Sequence, residues 1–78
     1  MGRYSNISPA LFRKFLESIG LSFSHIKGGH EVWKKEGILR PIVFQTHTDP
    51  MPEFIVMNNI RTAGATKKEL DIFLKTQK

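Results

Sequence analysis

A chain of 78 residues has room for one small domain and no second core. It carries a formal net charge of +5 and no cysteine. These facts exclude a disulfide scaffold, thiolate metal sites and a thiol nucleophile, and they favour a reducing compartment and an anionic partner. Residues 1–6 hold no apolar signal-peptide core, and no apolar run approaches membrane-spanning length. A cytoplasmic protein with no membrane partner is therefore expected, organised as one domain over residues 1–78.

Ser8-Pro9 predicts the start of a first helix. Serine suits the N-cap and proline the first helical position. Leu11, Phe12, Phe15, Leu16 and Ile19 then recur at helical spacing, with Arg13, Lys14 and Glu17 on the opposite, polar face. Gly20 is the expected stop. Residues 21–26 read as a strand with Leu21 and Phe23 on one buried face and Ser22 and Ser24 on the other. A second strand covers residues 30–35, Glu36-Gly37 signals a turn, and a third strand covers residues 40–46. Short connections predict an antiparallel meander.

Pro50 and Pro52 cannot continue a strand, because neither has an N–H for the ladder. A second helix is expected from Pro52 or Glu53, with Val56, Ile60 and Ala63 as its apolar stripe and Gly64 at its end. Thr66-x-x-Glu69 is a capping-box pattern for a last helix, whose apolar edge is Leu70, Phe73 and Leu74. The expected class is α+β, in the order α-β-β-β-α-α, with helices covering one sheet face.

The most informative stretch is Lys27-Gly28-Gly29-His30. Two glycines permit a tight turn, and a histidine at its mouth is the side chain best suited to trade protons near neutral pH. On RNA such a group can take the 2′-hydroxyl proton or protonate the leaving 5′-oxygen, without a metal. The same residues also suit a plain hairpin with a structural histidine. His47, at the end of the third strand, is the second candidate acid or base, and the meander brings it to the sheet edge that holds His30. His25, His30 and His47 lack metal-ligand spacing, so no metal is expected. Lys27, Lys34, Lys35, Arg40 and Arg61 are candidate phosphate contacts, with Gly28 and Gly29 allowing close backbone approach. Trp33 and Tyr4 are candidate stacking platforms, Trp33 being better suited to a core. No P-loop, dinucleotide fingerprint or metalloprotease pair is present, so no cofactor and no nucleotide-driven reaction is expected.

These residues resemble the HicA-type toxin family, small messenger-RNA interferases of type II toxin–antitoxin modules. The likeness runs from about residue 10 to residue 74. It rests on the basic-glycine-small-histidine motif at Lys27-Gly28-Gly29-His30, a histidine ending the third strand at His47, the Arg61, Ala63 and Gly64 helix end, and Glu69 with Phe73 in the last helix. The chain departs from the family's pattern at Gln45, where many members have proline, and at Pro52-Glu53-Phe54-Ile55, where many have glycine-threonine. The resemblance implies a fold like the double-stranded RNA-binding domain, endoribonuclease activity centred on His30, an mRNA substrate and a HicB-type antitoxin partner. Two other readings remain open. One is a non-catalytic RNA-binding module of the same fold, and the other is an interaction domain whose positive face meets an acidic protein.

Overall fold

Ser8 opens α1 (Pro9–Ser18): its Oγ accepts the Leu11 N–H at 3.0 Å, and Pro9 occupies the first turn, where a missing N–H costs nothing. The computed structural model describes residues 6–76. Gly20 follows the C-cap of α1 with a left-handed φ of +97°, and the Leu21 N–H closes the turn on the Leu16 carbonyl. β1 (Ser22–Lys27), β2 (His30–Lys34) and β3 (Ile42–Gln45) follow in an antiparallel sheet of order β1-β2-β3. α2 (Glu53–Thr62) and α3 (Lys67–Thr76) complete the chain. The capping box forms: the Thr66 N–H donates to Glu69 Oε1 at 2.8 Å, and the Glu69 N–H donates to Thr66 Oγ1 at 3.2 Å. The α+β class and the expected element order are both observed. Among the described residues no helix is long and apolar enough to cross a membrane.

The three helices share one core with one face of β2 and β3. Phe12, Phe15 and Leu16 of α1, Ile42 and Phe44 of β3, Val56 and Ile60 of α2 and Leu70 of α3 are all buried in it. Phe12 meets Phe44 edge-on with ring centroids 5.3 Å apart, and Phe15 meets Phe73 at 5.3 Å. Alternation decides which strand residues join. Glu31, Trp33, Ile42 and Phe44 point to the helices, while His30, Lys34, Val43 and Gln45 are exposed.

β1 departs from expectation. Every residue of it is exposed, and Phe23 is not buried with Leu21. Leu21 is buried ahead of the strand, in the α1 turn. Phe23 only leans edge-on against Trp33, with ring centroids 5.8 Å apart. β1 is an edge strand, and the helix layer covers β2 and β3 and not β1. The register of β1 also departs from plain alternation. Phe23 pairs with Trp33 but His25 pairs with Val32, so a bulge lies between them and inverts the alternation.

Arg13 also departs from its expected polar face. It reaches under the sheet to Glu31, while Lys14 and Glu17 stay exposed as expected.

Candidate functional site

Gly28 and Gly29 form a two-residue turn with φ of +59° and +81°. Two consecutive positive φ values define the turn that matches strand twist, and glycine adopts them without a steric penalty. The turn sets Lys27 opposite His30. His30 is exposed, and its Nδ1 lies 3.3 Å from the Gly28 carbonyl oxygen. A carbonyl can only accept, so this contact suits the tautomer with the proton on Nδ1, which leaves the Nε2 lone pair outward. That nitrogen is the one available to chemistry.

The bulge in β1 matters here. Cross-strand partners share a sheet face. His25 pairs with Val32 and Lys27 with His30, so both lie on the face that the helices leave open. Without the extra residue, the face of Phe23 would have taken His25 and Lys27. The open face therefore presents His25, Lys27, His30 and Lys34 around Val32 and Val43, with Ser22 and Gln45 at its margins. None of these residues is acidic.

The sequence candidates divide along the strands. Lys27 neighbours His30. Lys34 shares its face but stands at the far end of β2, roughly 13 Å along the strand. Lys35 leaves the sheet and donates to the Ile19 carbonyl at 2.8 Å. Arg40 sits with Lys34 and Lys35 around a shallow hollow at that far end, and Arg61 lies in the last turn of α2. His47 follows the end of β3. Gln45 pairs with His30, and the Thr46 N–H donates to the Gly29 carbonyl at 3.0 Å, so the two histidines occupy the same end of the sheet. No hydrogen bond joins them among the described residues. Trp33 is 2% exposed and is no stacking platform, because its ring belongs to the core. Tyr4 lies outside the described residues. Among the described residues no three His, Cys, Asp or Glu side chains gather as metal ligands would.

Two features escaped the sequence. The first lies directly beneath His30. Glu31 is 2% exposed, and its carboxylate takes Arg13 Nε–H at 2.8 and 3.0 Å, a further bond from Arg13 Nη2, Trp33 Nε1–H at 2.9 Å and Thr46 Oγ–H at 2.5 Å. Burial alone pushes such a carboxyl up, but these hydrogen bonds and the Arg13 charge outweigh it and hold Glu31 at about 2. The group ties α1 to the start of β2 and the end of β3, the two backbone points that place His30. Its sequence signal was Glu31-x-Trp33: a tryptophan assigned to the core brings the residue two before it to the same face.

The second is a cleft of about 400 Å³ beside His30, lined by Val43, Gln45, Thr48, Met51, Pro52 and Phe54 among others. Phe54 is 66% exposed there. His47 does not line it.

No protein-family model, no curated protein and no solved structure matches this chain.

Proposed function

We propose that the protein is a metal-independent endoribonuclease with His30 as its general base, the toxin of a type II toxin–antitoxin module. The single observation that carries this reading is the state of His30. It is exposed, its Nδ1 lies 3.3 Å from the Gly28 carbonyl oxygen, and it stands beside Lys27 on a cationic sheet face whose strand-paired neighbours include no acid. The motif resemblance to the HicA family supports the same reading, and the element order suits a fold like the double-stranded RNA-binding domain.

The chemistry follows from those atoms. His30 Nε2 takes the proton of a ribose 2′-hydroxyl. The freed oxygen attacks the adjacent phosphorus, and the bond from phosphorus to the 5′-oxygen breaks. The leaving oxygen gains a proton, for which a protonated His47 at the same end of the sheet is the candidate donor. One product ends in a 2′,3′-cyclic phosphate and the other in a 5′-hydroxyl. Lys27, across from His30, supplies positive charge where the phosphorane gathers negative charge. DNA lacks the nucleophile and is spared.

A HicB-type antitoxin is the proposed protein partner, and it would cover the His30 face. The test is incubation of single-stranded RNA with the protein in EDTA. Fragments ending in 2′,3′-cyclic phosphate support the reading. Binding of RNA without cleavage would instead favour a non-catalytic RNA-binding module.

A further inference from the structure

The cleft beside His30 is built from three kinds of group. Phe54, in the first turn of α2, is 66% exposed and stacks on no other ring among the described residues. Thr48 Oγ–H donates to Gln45 Oε1 at 2.5 Å, which orients the glutamine amide and leaves its N–H donors unused. The third group is backbone. The Thr46 N–H bonds inward to Gly29, so Val43 and Gln45, of opposite parity, turn their N–H and C=O groups to the outer edge of β3. The bond from Asn59 Nδ2–H to the Val43 carbonyl at 3.2 Å fits that parity. Among the described residues no strand lies beyond β3 and no hydrogen bond takes up the Gln45 N–H or C=O, which face the cleft side.

An apolar floor, one exposed aromatic ring and an adjacent donor–acceptor pair are what an unstacked nucleobase requires. A base has two π-faces for stacking and an edge of alternating donors and acceptors. The phosphate side is provided for as well, since His30 lines the cleft and Lys27 stands across from it. Asp49 and Glu53 interrupt the lining segment in sequence, and neither lines the cleft.

We infer that this cleft is a nucleobase subsite: a base next to the scissile phosphate stacks on Phe54 and is read along its edge by Gln45. This rests on the proposed RNA cleavage at His30 and adds to it the element that selects the cut.

The test uses fluorescent 2′-O-methyl oligomers of A, C, G and U, which bind but cannot be cleaved. The wild-type protein should bind one of the four best. Phe54→Ala should weaken that oligomer roughly 10-fold, and Phe54→Tyr should restore it to within about 2-fold. Gln45→Ala should narrow the spread among the four while leaving the weakest nearly unchanged. Equal binding of all four by wild type and Phe54→Ala, in a protein that still cuts ordinary RNA, overturns the subsite and leaves His30 catalysis standing. The cleft and free β3 edge would then suit an added peptide strand. Failure to bind or cut any RNA overturns both.

Discussion

Arg13 of α1 holds both carboxylate oxygens of Glu31, the residue that follows His30 in β2. Glu31 faces the core and His30 faces solvent, as neighbours in a strand must. The candidate catalytic group therefore stands on a backbone anchored from below by an ion pair. Arg13 also reaches Thr46, with Nη2–H donating to its Oγ1 at 3.0 Å, so one guanidinium joins β2 and β3 at the end where the histidines lie.

Removing one partner leaves the other in the wrong environment. Arg13→Ala leaves a buried carboxylate with only Trp33 and Thr46 as donors. It should cost about 2 kcal/mol, or roughly 10 °C in Tm. Thermal melts at pH 7 check this. A change of less than about 2 °C would mean that the pair contributes little.

The same group sets an acid limit. Glu31 is held at about 2, below its ordinary value of 4.5. A depressed carboxyl contributes stability that is complete above the unfolded value and is lost as pH falls through the folded one. Stability should therefore fall between about pH 4.5 and pH 2, and Glu31→Gln should flatten that slope while lowering stability at pH 7. Urea titrations across the range read it directly, and equal slopes in both proteins would contradict the assignment.

The helices were legible because their ends carry chemical signals: Ser8-Pro9, Gly20, Gly64 and the Thr66–Glu69 box each appear where the sequence places them. The meander and its turn glycines were legible for the same reason. The burial of β1 was not, since alternation shows that a strand has two faces and not whether anything covers them. The bulge after Phe23 was equally hidden, and it is what brings Lys27 and His25 to the face of His30. Arg13 read as a surface charge and Glu31 drew no reading, because ionised groups are rarely buried unless paired and the pairing spans 18 positions.

The turn itself makes a conformational prediction. A Cβ at Gly29 meets nothing within 4 Å, so only its φ of +81° resists substitution. Gly29→Ala should cost roughly 1 kcal/mol, and Gly29→Asn less, because asparagine tolerates that region. Chemical denaturation of the two variants gives the order, and alanine as stable as asparagine would argue against this backbone.

The lysines should separate by position. Lys27 and Lys34 lie on the face of His30, whereas Lys35 is turned back to Ile19. Lys27→Glu and Lys34→Glu should each weaken RNA binding and lower the slope of log affinity against log salt by roughly 0.7 per lost contact. Lys35→Glu should change neither. Equal effects from Lys35→Glu would move the RNA path to the far end of the sheet, around Arg40.

The most direct measurement is the cleavage rate of single-stranded RNA by wild type and by His30→Ala, in EDTA, with both proteins shown to be folded by circular dichroism. His30 is exposed and the one hydrogen bond of its side chain among the described residues is to the Gly28 carbonyl, so the fold should survive its removal. A general base typically contributes about 10²–10⁴-fold, and the variant should be slower by that factor with its RNA affinity little changed. A His30→Ala protein that cuts RNA as fast as wild type would contradict the account.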